Sequence, residues 1–124
     1  MVQSIDRAMQ IIQILNSDDS KTGWPISELS ERVGLPLSTT HRLISSLMNH
    51  DLVAQEPETK RYKVGPKWME IGVRQLEQLD LRTAARPVME RIAAEVKETV
   101  FLSIPNGLFS MGIDKVESPM KLRV

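Results

Sequence analysis

Ile26-Ser27-Glu28-Leu29-Ser30-Glu31-Arg32-Val33-Gly34-Leu35-Pro36-Leu37-Ser38-Thr39-Thr40-His41-Arg42-Leu43-Ile44-Ser45-Ser46-Leu47-Met48 reads as two short helices joined by a tight corner. In the first half, Leu29 and Val33 fall inward while Glu28, Glu31 and Arg32 face out, which predicts an amphipathic helix over about Ser27 to Val33. Gly34 stops it, since glycine takes the left-handed conformation of a helix C-terminus without a steric clash. Leu35-Pro36 turns the chain, and Pro36 is tolerated at the start of the next helix, where no N–H partner is needed. The spacing predicts that helix from about Leu37 to Asn49. Its inward stripe is Thr40, Leu43, Ile44, Leu47 and Met48, and its opposite face carries Ser38, His41, Arg42, Ser45 and Asn49.

The flanking sequence completes the unit. Upstream, Ser4 is a plausible N-cap, Asp6 suits the positive end of a helix dipole, and Ile5, Ala8, Met9, Ile12 and Leu15 recur at helical spacing. That helix should end near Asn16, before the polar, turn-forming residues 17–23. Downstream, Leu52-Val53-Ala54-Gln55 and Arg61-Tyr62-Lys63-Val64 flank Glu56-Pro57-Glu58-Thr59, the pattern of a β-hairpin. Three helices and then a hairpin is the order of a winged helix-turn-helix. After Gly65-Pro66, a fourth helix is expected over about Lys67 to Asp80. A fifth follows over about Thr83 to Lys97, with Pro87 in its first turns and Ala85, Val88, Met89, Ile92 and Val96 on its apolar stripe. The period then changes to two. Thr99 to Ile104 reads as a strand, Asn106-Gly107 as a hairpin signal, and Leu108 to Val116 as the partner strand. The fold class is therefore mainly α. Residues 1–65 form a winged helix-turn-helix, residues 66–97 linker and dimerisation helices, and residues 98–124 the start of a further domain.

Bulk properties narrow the function. The chain has 124 residues, of which 41% are hydrophobic, a content suited to a globular fold. It has no cysteine, which removes disulfides, thiolate metal sites and cysteine nucleophiles, and fits a reducing cytosol. Neither a secretory leader nor a run of membrane-spanning length is present, so a soluble, cytoplasmic protein is expected. Formal net charge is zero, so attraction to nucleic acid must come from a local patch. Lys60-Arg61-Tyr62-Lys63 is the candidate.

The helix from Leu37 is the centre of the functional reading. A helix of this kind enters the major groove, and polar side chains near its N-terminus reach base edges. Ser38, Thr39, His41, Arg42 and Ser45 are the candidates, with Arg42 suited to bidentate contact with guanine; alternatively, Ser38 and Thr39 only cap the helix and Arg42 is a solvated charge. Lys60, Arg61 and Tyr62 on the hairpin would contact phosphates or the minor groove. The alternative is that they solubilise an edge strand, and Glu56 and Glu58 would oppose phosphate at the tip. His41 and His50 lack metal-ligand partners, and no nucleophile motif or phosphate loop is present, so no catalytic residue, metal or cofactor is expected. Trp24 and Trp68 are expected at domain edges, and Met9, Met48, Met69 and Met89 in the core. Asp6 and Arg7 could form an interface pair or be solvated. The apolar side of the fourth helix, Trp68, Met69, Val73 and Leu76, is a dimerisation surface or packs within the chain. A protein-interaction or dimer-sequestering module is the competing functional class.

Val2-Gln3-Ser4-Ile5-Asp6-Arg7-Ala8, Leu35-Pro36-Leu37-Ser38-Thr39-Thr40-His41-Arg42-Leu43 and Arg61-Tyr62-Lys63-Val64-Gly65-Pro66 together resemble the IclR family of transcriptional regulators. Arg86-Pro87-Val88-Met89, Glu98-Thr99-Val100-Phe101-Leu102 and Val116-Glu117-Ser118-Pro119 extend the resemblance over nearly the whole chain. It implies an N-terminal winged helix-turn-helix, a dimerising linker helix and a C-terminal α/β domain that senses small molecules. It also implies binding of double-stranded operator DNA as homodimers or dimer pairs, with the base-reading role on Ser38, Thr39, His41 and Arg42 and the wing role on Lys60, Arg61 and Tyr62. Two positions depart from the family pattern: Leu37 stands where Lys or Arg is common, and Lys60 where the wing turn often has glycine. Only the opening strands of the sensor domain are expected here, as in an excised fragment or a natural truncation, so a small-molecule effector is expected only for a full-length form.

Overall fold

The computed structural model describes residues 2–17 and 22–118. The chain folds as two compact units, Met1–Ile71 and Gly72–Val124. The first holds α1 (Gln3–Leu15), α2 (Ile26–Val33), α3 (Leu37–Asn49), β1 (Val53–Gln55) and β2 (Tyr62–Val64). The boundary falls within α4 (Lys67–Glu77), and the second unit holds α5 (Asp80–Val96), β3 (Val100–Asn106) and β4 (Phe109–Val116).

In the first unit, α1 starts one residue before the expected Ser4 cap, and Val2 occupies the N-cap position without a side-chain bond. Its buried residues are Ile11, Ile12 and Leu15. Ile5 and Met9, expected inward, are exposed instead, because the stripe that meets the other helices runs through Ala8, Ile11, Ile12 and Leu15. These pack with Leu29 of α2, Ile44 and Leu47 of α3, and Val53 and Tyr62 of the hairpin. Trp24 joins them. It was expected at an edge but is buried, because its backbone N–H and C=O both bond those of Tyr62, each at 2.8 Å. The segment before α2 thus lies alongside β2 as a third, one-residue strand. The Arg32 guanidinium lies 4.8 Å from the centre of the Trp24 ring, a cation–π contact that covers it.

The corner between α2 and α3 follows the expected chemistry. Gly34 has φ +69°, its N–H bonds the Glu31 carbonyl, and the Leu35 N–H bonds the Ser30 carbonyl at 3.1 Å. This pair of bonds is the Schellman closure of a helix end. The Ser30 hydroxyl adds a 2.6 Å bond to the Leu35 carbonyl.

The wing pairs Val53 with Val64, Ala54 with Lys63 and Gln55 with Tyr62. Leu52 and Arg61 lie just outside the strands. Lys60 closes the turn with φ +62°, its N–H bonding the Glu56 carbonyl while the Glu56 N–H bonds the Arg61 carbonyl. Behind the wing, the chain is clamped to the end of α3. The Gly65 N–H bonds the Leu52 carbonyl, the Lys67 N–H bonds the Asp51 carbonyl, and the Trp68 indole N–H bonds the Leu52 carbonyl at 2.9 Å. A side chain at Gly65 would overlap the Asp51 carbonyl, so this crossing requires glycine.

In the second unit, α5 begins three residues before the expected Thr83. Leu79 is extended there, and α4 has already ended at Glu77. Pro87 therefore lies in the interior of α5 rather than in its first turns, where it removes one backbone hydrogen bond. β3 and β4 form an antiparallel hairpin with a two-residue loop. Gly107 has φ +63° and is the first residue of that loop, so Asn106 is the last strand residue rather than a turn residue. The pairing shifts after Leu102, leaving Ile113 in a bulge where it is buried. Met89 and Ala93 are the buried residues of α5. Asp114 is nearly buried and bonds Arg86 at 2.9 Å, with Arg82 at 3.6 Å. The Lys115 backbone N–H, with Arg86 adding to it, holds the Asp114 carboxyl below the usual carboxylate range despite its desolvation. The outer surface of this hairpin keeps Phe101, Leu108 and Phe109 exposed. Of the four methionines expected in the core, Met89 is buried and Met48 half-buried, whereas Met9 and Met69 are exposed.

Two substitutions should move stability in opposite directions. Gly65→Ala should destabilise the first unit by roughly 2–4 kcal/mol, because backbone must shift to admit the methyl group. Lys60→Gly should stabilise it by about 0.5–1 kcal/mol by relieving the left-handed backbone. Urea denaturation midpoints of the two variants should therefore bracket the parent.

Candidate nucleic-acid interface

The outer face of α3 is set by what the inner face buries. Thr40, Ile44 and Leu47 are buried, and Leu43 and Met48 are half-buried. Thr40 is fully buried, yet its hydroxyl donates to the Pro36 carbonyl at 3.0 Å, so this hydroxyl is not stranded in the core. With that side turned in, Ser38, His41, Arg42 and Ser45 all stand exposed, and Thr39 is half-buried. Helical spacing places His41 and Ser45 on one row, and Ser38 and Arg42 on the next. This is a face of hydrogen-bonding groups with no acidic side chain. A helix of this width fits the major groove, and its donors and acceptors match the kind of pattern that base edges present there.

The wing residues separate into three environments. Lys60 and Lys63 are exposed. Arg61 is half-buried, and its guanidinium donates to the Gly23 carbonyl at 3.3 Å, which uses one of its five donors and steadies the rest. Tyr62 is only 5% exposed and belongs to the core, so its assignment to the DNA-contacting set is corrected. The reason is strand alternation: Tyr62 and Val64 turn toward Trp24 and α1, while Arg61 and Lys63 take the other side. Glu56 is half-buried and Glu58 exposed in the same turn.

The structure adds Arg7, which follows Asp6 in α1, to these residues. A groove of about 290 Å³ is lined by Gln3, Ser4 and Arg7 of α1 and by Thr39, Arg42 and Leu43 of α3. Two guanidinium groups from helices far apart in sequence therefore share one depression beside the exposed face. A signal was present in the sequence. Arg7 stands one turn before Ile11, on the inward side of α1, where an arginine has no place in a purely apolar stripe.

The α4 residues expected to dimerise do not behave alike. Met69 and Val73 are exposed, with Ile71 between them, and Leu76 is half-buried. Trp68 is half-buried against the core of its own unit, and its indole N–H is occupied by Leu52. Among the described residues, no group of histidine and acidic side chains could hold a metal, and no helix is long and apolar enough to cross a membrane.

Comparison with known proteins gives the same picture. The model of the IclR helix-turn-helix domain matches residues 4–57, and that of the bacterial transcriptional regulator IclR C-terminal domain matches residues 73–124. The chain is 30% identical over 120 residues to the HTH-type transcriptional regulator XynR of Escherichia coli strain K12, covering 97% of this chain and 47% of XynR. It is 29% identical over 122 residues to the HTH-type transcriptional repressor AllR of the same strain, covering 98% of this chain and 44% of AllR. The chain therefore spans about half the length of the curated relatives it matches. Among solved structures, an IclR family transcriptional regulator from Brucella abortus aligns with a TM-score of 0.80 at 22% identity, over 96% of this chain and 44% of that one. The Thermotoga maritima IclR aligns with a TM-score of 0.75 at 23% identity, over all of this chain and 49% of that one. These structures establish the fold: an N-terminal winged helix-turn-helix followed by part of an α/β domain. With two family models covering both units in order, and regulators of the same kind as relatives, this chain belongs to the IclR family of DNA-binding transcriptional regulators.

Proposed function

We propose that this chain is the operator-reading part of a transcriptional regulator that binds duplex DNA as a homodimer. The observation that carries the proposal is the outward face of α3, where Ser38, His41, Arg42 and Ser45 are exposed together because Thr40, Ile44 and Leu47 are buried behind them. In this reading α3 lies in the major groove and Arg42 donates to guanine O6 and N7, worth about 1–3 kcal/mol of discrimination. Thr39 approaches the same groove edge from the half-buried side. Lys60, Lys63 and the tethered Arg61 neutralise phosphates flanking the site, fixing register without reading sequence. Arg7 joins Arg42 across their shared groove and takes a further phosphate.

Local charge resolves the difficulty of zero net charge. Attraction falls off within about 10 Å at ordinary salt, so the phosphates respond to the residues that face them rather than to the sum over the chain. The exposed Met69 and Val73, one turn apart on α4, are the surface for a second copy, which would present two α3 helices to two half-sites. Trp68 serves this surface from behind, by holding the start of α4 against its own core.

The test is selection of binding sites from random duplexes by the purified chain, followed by titration at several salt concentrations. Arg42→Ala should relax preference at one base pair per half-site, with a loss of about ten-fold or more for the best site. Arg7→Ala should weaken all duplexes alike and reduce the slope of log affinity against log salt by about 0.9. Unchanged site preference in the first variant, or an unchanged slope in the second, would remove that residue from the interface.

Sedimentation equilibrium tests the α4 surface. The parent chain should be dimeric at micromolar concentration, and Val73→Asp should shift it toward monomer. A parent that stays monomeric throughout this range would reject the surface.

A further inference from the structure

We infer that Leu37 is a specificity-determining residue that packs against the 5-methyl group of a thymine in each half-site. The inference rests on the operator-reading proposal and adds a base identity to it.

Leu37 is the first residue of α3 and is 54% exposed. By helical spacing it heads the inward stripe of Thr40, Ile44 and Leu47, but the core ends at Thr40 and Leu37 stands in the open beyond it. Ser38, next in the chain, and His41, one turn on, border it on the polar side. Both are exposed. Leu37 is therefore an apolar group at the leading end of the helix, on the border of the polar face that would enter the groove. Residues at the N-terminus of a recognition helix are those that approach the base edges.

A single exposed leucine is ordinary on a protein surface and calls for no explanation by itself. Place and rigidity distinguish this one. The corner before it is held by the Ser30 hydroxyl on the Leu35 carbonyl at 2.6 Å and the Leu35 N–H on the Ser30 carbonyl at 3.1 Å. The turn after it is held by the Thr40 N–H and hydroxyl, both on the Pro36 carbonyl at 3.0 Å. The backbone at Leu37 is thus fixed on both sides, so the side chain can be placed against a base with little further ordering.

The chemistry selects the ligand. Leucine offers no hydrogen bond and no charge, so it can satisfy neither a phosphate nor a base donor or acceptor. The apolar feature of the major-groove edge is the C5-methyl of thymine. Placed over cytosine, or over the polar edge of a purine, Leu37 would remove water from a group without replacing its hydrogen bond, which disfavours those bases. Discrimination would thus come both from methyl contact and from the penalty at the wrong base.

The experiment uses the full chain and the best duplex from site selection. Each thymine of a half-site is replaced in turn by deoxyuridine, which deletes only the methyl group. One position per half-site should weaken binding about four-fold, the effect expected for one lost methyl contact. At that position the thymine-to-uracil penalty should vanish in Leu37→Ala. Leu37→Lys should also lose it while steepening the salt slope by about 0.9, as a phosphate contact replaces the methyl contact. Both substitutions are at an exposed site, so folding is not at stake. If the parent recognises an operator but its uracil profile is unchanged by Leu37→Ala, the role of Leu37 is overturned and operator reading stands. If the parent shows no sequence preference at all, operator reading fails and this inference fails with it.

Discussion

The rotation of α3 about its own axis is the constraint on which the rest of the first unit depends. Three buried residues, Thr40, Ile44 and Leu47, lock that rotation, and the first of them is polar. Burying a hydroxyl without a partner costs about 1–3 kcal/mol, enough to turn the helix toward another packing. The bond from Thr40 to the Pro36 carbonyl removes that cost, and does so through the corner that leads into the helix. One local contact therefore joins the corner to the core. With the inner face locked, the direction of the outer face is fixed, and Ser38, His41, Arg42 and Ser45 all stand on the exposed side.

Around this helix the first unit uses backbone contacts to place its remaining parts. Trp24 and Tyr62 exchange two hydrogen bonds, which ties the segment before α2 to the wing. The bonds among Asp51, Leu52, Gly65, Lys67 and Trp68 tie the wing exit and the start of α4 to the end of α3. Neither set depends on a large apolar area. Both satisfy backbone groups that would otherwise be stranded where the chain changes direction. That explains why a chain with so few aromatic residues commits Trp24, Trp68 and Tyr62 to these junctions. Each combines bulk with a polar group or a fixed backbone role.

Much of this was legible from the residues alone, and the reasons are specific. The limits of α3 and the end of α2 could be read because amphipathic spacing was bracketed by Gly34 and Pro36, two residues whose backbone preferences leave few options. The wing could be placed from its alternation and its proline-containing turn. The fate of Tyr62 could not, because a period of two leaves open which face is buried until the neighbouring strand is known, and that strand is a single residue at Trp24. Ile5 and Ile11 presented a similar ambiguity in α1, where two apolar rows were available and tertiary packing chose between them. The limits of α4 and α5 were shifted because no glycine or proline marks the junction near Leu79. Arg7 escaped assignment because its partner in the shared groove is Arg42, a residue distant in sequence.

The order of elements, the chemistry of the α2–α3 corner and the polar character of the α3 outer row were determined by the sequence by itself, because each follows from local backbone preference and periodicity. Only the tertiary structure decided that Tyr62 is inside, that Arg61 is tethered to Gly23 and that Arg7 stands beside Arg42. It also decided that Leu37 is left in the open at the head of the helix. Those outcomes depend on which distant segment occupies each face, and no local preference carries that information.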